Sequence, residues 1–76
     1  MSLRARFKVS ITLTETRKED PRFLDLAAAE HTAMILTDAQ VKCVTIIDTE
    51  LENIVFRSAD GKVRLNNFRY YRLAAM

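Results

Sequence analysis

From Leu3 to Leu13 apolar and polar residues alternate in steps of two. Leu3, Ala5, Phe7, Val9, Ile11 and Leu13 fall on one side, and Arg4, Arg6, Lys8, Ser10 and Thr12 on the other. Successive side chains of a strand point to opposite faces, so this pattern predicts a half-buried strand with a wet, basic outer side. Thr14 to Glu19 is polar and reads as a connection. Asp20-Pro21 then reads as a helix start, because Asp accepts a hydrogen bond from an orphan N–H and Pro fits the first turn. The apolar positions Phe23, Leu24, Ala27, Ala28, His31, Met34 and Ile35 follow at helical spacing. They predict a helix from Pro21 to Ile35 with Asp25 and Glu30 toward solvent.

Thr37-Asp38-Ala39-Gln40 matches a capping box, which would allow a second helix through Thr49. Against it, five of the seven residues from Val41 to Ile47 are β-branched, and such residues lose side-chain freedom in helices. The run has apolar groups on both sides and is expected to be a central strand. Asn53–Ser58 and Lys62–Asn66 flank Asp60-Gly61, the strongest hairpin signal in the chain. A two-residue loop pairs Ala59 with Lys62, Ser58 with Val63, Arg57 with Arg64 and Phe56 with Leu65, which keeps Ile54, Phe56, Val63 and Leu65 on one face.

The tail from Asn67 to Met76 has three readings. It is a continuation of the last strand, a strand turned by a bulge at Asn66-Asn67, or a short helix capped by Asn67 with Phe68, Tyr71 and Ala75 inward. The strand is preferred. The expected fold is α+β, in the order β-α-β-β-β: one helix on one face of a three- to four-stranded mixed or antiparallel sheet. The first two strands run parallel if they are neighbours. Residues 1–76 read as a single small domain.

Composition narrows the function classes. A chain of 76 residues buries only about 60% of its unfolded surface, so a partner that covers more of it would add stability. One cysteine permits no internal disulfide, and one cysteine with one histidine cannot close a four-ligand zinc site. A single glycine rules out a dinucleotide-binding fingerprint or a P-loop. No apolar run is long enough to span a bilayer and no signal peptide is visible, so a cytoplasmic location is expected.

The net charge of +2 conceals an asymmetry. Arg4, Arg6 and Lys8 at one end, and Lys62, Arg64, Arg69 and Arg72 at the other, have no acid beside them. All the acids lie between Glu15 and Asp60. This becomes a surface potential only where the two ends meet in space.

In the two-residue register Arg57 faces Arg64, and like charges across a strand pair invite an anionic partner. If the first strand lies nearby, Arg4, Arg6, Lys8, Arg57 and Arg64 form a basic face, and aromatic residues between basic ones would suit a nucleic acid. A solvated sheet face needs polar residues in any case, and Arg and Lys discourage edge pairing. Phe68, Arg69, Tyr70, Tyr71 and Arg72 have the composition of a contact surface. His31 and Cys43 are expected to be packed rather than catalytic, and Asp48, Glu50 and Glu52 to form a solvated turn. The leading expectation is a non-enzymatic interaction or regulatory module. It would self-associate through a sheet face or edge, with no metal, cofactor, membrane or small-molecule substrate. A nucleic-acid-binding domain using the basic face is the alternative.

Overall fold

In the computed structural model, which describes residues 5–74 and the side chains of residues 5–71, the alternating segment forms strand β1 (Phe7–Thr12). Phe7, Val9 and Ile11 are buried while Lys8, Ser10 and Thr12 stay half-exposed. The chain reverses through Thr14, whose Oγ1 accepts the N–H groups of Thr16 and Arg17. It then runs back along β1 as two short strands, β2 (Lys18–Glu19) and β3 (Arg22–Phe23). Helix α1 (Leu26–Asp38), strands β4 (Cys43–Asp48), β5 (Asn53–Ala59) and β6 (Lys62–Asn66), and helix α2 (Phe68–Ala74) follow. The path across the sheet is β2-β1-β4-β5-β6, with β3 also paired to β1, and every pairing is antiparallel.

The α+β class holds, but the described residues form six strands and two helices rather than β-α-β-β-β. The expected parallel pairing of the first two long strands is replaced by an antiparallel one between β1 and β4. The cause is the Lys18–Phe23 segment. It keeps one register with β1 on both sides of Asp20-Pro21, pairing Thr12 with Lys18 and Phe7 with Phe23. The crossover helix therefore starts from an edge strand that already runs opposite to β1.

Asp20-Pro21 does not start the helix. The Val9 N–H donates to the Pro21 carbonyl at 2.8 Å, so this dipeptide is held in the edge, where Pro is tolerated. The cap is Asp25, whose Oδ1 accepts from the N–H groups of Ala27 at 2.7 Å and Ala28 at 3.3 Å. Asp25→Ala is expected to lower stability in urea denaturation by about 1 kcal/mol, whereas Asp20→Ala should stay within about 0.5 kcal/mol of the parent. Equal effects would argue against this assignment of the cap.

Helix α1 also extends one turn beyond Ile35. Gln40 takes a left-handed conformation (φ 59°), Gln40 N–H bonds the Thr37 carbonyl and Val41 N–H bonds the Leu36 carbonyl. This is a Schellman end, and it takes up the residues that had resembled a new capping box. The inward positions are Ala29, Ala33 and Thr37, with Leu26 and Leu36 half-buried beside them. His31, Met34 and Ile35, expected inward, are exposed. Two alanines let the helix lie close to the sheet, and the Thr37 hydroxyl reaches Ser58 Oγ at 2.9 Å, which sets the helix rotation.

Strand β4 is central, as the β-branched run implied, with Val44 and Ile46 fully buried. The Asp60-Gly61 hairpin is present, with positive φ at both residues (53° and 81°), as a two-residue turn of the primed type requires. A Cβ at Gly61 would also lie 2.9 Å from Gln40 Cγ, so the exposed Gln40 side chain would have to shift to admit one. Two bulges adjust the strands. One in β5 turns both Val55 and Phe56 into the core opposite Ile46. The other, in β6, shifts the pairing so that Arg57 faces Leu65 and Phe56 faces Asn66. Arg57 is thus not opposite Arg64. The tail is helical rather than extended over Phe68–Ala74, while Ala75 and Met76 lie outside the described residues: Asn66 Oδ1 accepts the Phe68 N–H at 3.0 Å, and Phe68 stacks on Phe56 at 5.1 Å. No helix among the described residues is long and apolar enough to cross a membrane.

Candidate functional site

Both helices pack on the same side of the sheet. Thr37 of α1 bonds Ser58, and Phe68 and Tyr71 of α2 meet Phe56 and Phe7, all on the face that carries Val9, Val44 and Ile46. The opposite face has no cover among the described residues. Following the registers across it, Arg22, Lys8, Ile47 and Ile54 form one row. Ser10, Thr45, Arg57 and Leu65 form the next, and Lys18, Thr12, Cys43, Ala59 and Lys62 the third. The paired positions of this bare face hold five cations and no carboxylate. Asp20, between Lys18 and Arg22, is the acid that strand alternation brings to its margin. Among the described residues ion pairs hold Arg6 and Arg17 but none of these five.

The five residues of the expected basic face are therefore only partly brought together. Lys8 and Arg57 do share the bare face, two strands apart, which at roughly 4.8 Å per strand sets their backbones about 10 Å apart sideways. Arg64 sits at the β6 bulge. Arg4 lies outside the described residues. Arg6 leaves the alternation at the start of β1 and turns toward the helix side, where it binds Asp48. Lys18, Arg22 and Lys62 belong to the face instead. Lys62 was legible from the hairpin, while Lys18 and Arg22 needed the hidden edge strand.

Asp48 is fully buried at the end of β4 on the core side. Arg6 grips it with two bonds, Nε to Oδ1 at 2.9 Å and Nη2 to Oδ2 at 2.7 Å. The N–H groups of Glu50 and Leu51 donate to the same Oδ1. The Arg6 hydrogen bond, aided by these two N–H groups, holds the Asp48 carboxyl below its ordinary range against the opposing effect of burial. Glu50 approaches Arg6 Nε at 3.3 Å, and the guanidinium also lies 5.3 Å from the centre of the Phe7 ring. The expected solvated turn is therefore corrected at Asp48, which is buried and paired with Arg6, while Glu50 meets the same guanidinium from an exposed position and Glu52 is exposed. No group of three metal-ligating side chains occurs among the described residues.

The aromatic–arginine tail divides. Phe68 is buried, and Tyr71 is half-buried, with its ring edge-on to Phe7. Burial, with the Asp48 carboxylate nearby, pushes the Tyr71 phenol above its ordinary value. Tyr70, 69% exposed, and Arg69 face outward, while the Arg72 side chain lies outside those described. Tyr70, Leu24 and Leu51 rim a cleft of about 360 Å³ whose other walls include Arg6, Phe7 and Tyr71. His31 is exposed on α1, in a different layer from Cys43, which is half-buried in β4 with Sγ 3.8 Å from Thr45 Oγ1.

The two edges of the sheet differ. The Lys18–Phe23 edge is interrupted by Pro21 and carries charge at Lys18, Glu19 and Arg22. The β6 edge has all five residues exposed, including Val63 at 45% and Leu65 at 38%. Among the described residues these features define a small two-helix, one-sheet domain with one bare basic face and one open edge. No family model, curated protein or solved structure matches the chain.

Proposed function

We propose that the protein is a non-enzymatic interaction module that self-associates by pairing β6 with β6 of a second copy. The observation that carries this reading is the asymmetry of the edges. Proteins blunt edge strands with Pro, charge and short length, and here that treatment is given to the Lys18–Phe23 edge. Strand β6 keeps apolar Val63 and Leu65 at an unpaired edge, with Lys62, Arg64 and a bulge as milder guards. Joining the bare faces of two copies is the poorer arrangement, since it would bring Lys8, Arg22 and Arg57 against like charges. Edge pairing leaves those faces open and satisfies backbone groups that water otherwise holds.

Sedimentation equilibrium over a wide concentration range tests the proposal. A monomer–dimer equilibrium is expected, and Val63→Lys should weaken it at least about tenfold, equivalent to about 1.4 kcal/mol. Ile35→Lys, on the outer side of α1, should leave it unchanged. A monomer at every concentration, or equal effects of the two substitutions, would overturn the reading.

A further inference from the structure

We infer that the bare sheet face binds single-stranded nucleic acid through Lys8, Lys18, Arg22, Arg57 and Lys62. The inference does not depend on self-association, because one protomer supplies all five cations. Lys8, Lys18 and Arg22 stand on the β1–β2–β3 side, and Arg57 and Lys62 on the β5–β6 side. Lys18 and Lys62, at the two ends of one row, are four strand spacings or roughly 19 Å apart. On β4, between the two sides, lie Thr45 and Ile47, and among the cations stand the hydroxyls of Ser10 and Thr12 on β1 and the aliphatic Ile54 on β5 and Leu65 on β6. Ile54 is 45% exposed, which makes it an apolar contact in reach of solvent.

A single strand offers matching chemistry in every nucleotide: a phosphate for the cations and hydroxyls, and an unpaired base whose flat apolar face can rest on the aliphatic ridge. A duplex hides its base faces and would set phosphates against Ile54 and Leu65. An acidic protein would need carboxylates on both margins and an apolar strip between them. The guanidinium planes of Arg22 and Arg57 can also stack on bases. The described aromatic rings belong to the helix side, so this face lacks the ring platform usual in single-strand binders. Binding should therefore be tolerant of sequence and mainly electrostatic.

Fluorescence anisotropy with labelled single-stranded oligonucleotides of mixed sequence tests the assignment. With five phosphate contacts the logarithm of affinity should fall against the logarithm of salt with a slope of about −3.5, a loss of about a hundredfold between about 50 and 200 mM salt. The exposed or half-exposed pair Lys8→Gln/Arg57→Gln should reduce the slope by about 1.4. Lys42→Gln/Arg69→Gln makes the same change in net charge at exposed cations off the face, and it should leave the slope unaltered. No binding at the lowest salt would overturn the inference. So would equal losses in the two double variants, tighter binding of the matching duplex, or displacement by polyglutamate as readily as by unlabelled oligonucleotide.

Discussion

Phe56→Ala is expected to destabilise the protein by about 3–5 kcal/mol, the range for removing a fully buried phenylalanine. A chain of this length has a total stability of about 4–11 kcal/mol, so the variant should lose at least about a quarter of it. The site explains why the effect lies high in that range. The β5 bulge turns Val55 and Phe56 inward together, both with no exposure, and Phe56 carries Phe68 stacked on it with ring planes only 8° apart. Among the described side chains the other holds of α2 on the sheet include the Asn67 N–H bond to the Val55 carbonyl at 2.7 Å, the Asn67 amide near the Ile54 carbonyl at 3.5 Å, and the edge contact of Tyr71 with Phe7. A hole at position 56 therefore loosens both the sheet centre and the seat of α2. Both tyrosines lie in α2 and the chain has no tryptophan. Tyrosine fluorescence thus reports α2, while far-ultraviolet circular dichroism reports the whole fold. In urea the variant should show the fluorescence transition at lower concentration than the dichroism transition. A midpoint close to that of the parent in both signals would contradict the packing described here.

The elements readable in advance were those whose signal is local. Alternation marked β1, β-branching marked β4, and Asp60-Gly61 marked the hairpin, because each depends on one residue's own geometry or on its immediate neighbours. The edge strand was hidden because an edge needs little apolar content. Lys18, Glu19 and Arg22 reach solvent there, and the strand is held by backbone bonds to β1 such as that from Val9 to Pro21. The same pairing overrode the Asp20-Pro21 helix signal.

The rotation of α1 was misread because its sequence is apolar on more than one side. Met34 and Ile35 compete with Ala29, Ala33 and Leu36, and the choice depends on how closely a helix can approach the sheet. Small residues decided it, together with the Thr37–Ser58 hydrogen bond across 21 positions. The basic face was half legible. Lys8 and Arg57 follow from alternation and the hairpin, while the β6 bulge displaced Arg64. The loss of Arg6 from the face comes from a contact 42 positions away.

That contact sets the other large effect. Asp48→Ala is expected to lower stability at neutral pH by about 2–3 kcal/mol, less than the 3–5 kcal/mol of a fully buried broken pair because Arg6 remains about a third exposed. The substitution removes the acceptor for both Arg6 bonds and for the N–H groups of Glu50 and Leu51, so the β4–β5 turn keeps only such holds as the two Thr49 bonds to the Arg6 carbonyl. Asp48→Asn keeps one oxygen and the shape but no charge, and should fall between the parent and the alanine variant.

The pH dependence follows from the direction of the shift. The carboxyl, bonded to Arg6, binds its proton less readily in the folded chain than an ordinary aspartate does in the open one. As acid is added the unfolded chain therefore takes up the proton first, and unfolding is favoured. The stability that Asp48 contributes is complete above that ordinary value and is lost as the pH falls through the lower folded value. Urea midpoints of the parent should therefore drop below about pH 4. Those of Asp48→Asn should drop less, and the gap between the two proteins should narrow in acid. A gap that stayed constant from neutral pH into that acid range would mean that Asp48 acts through shape and backbone bonds rather than through its charge on Arg6.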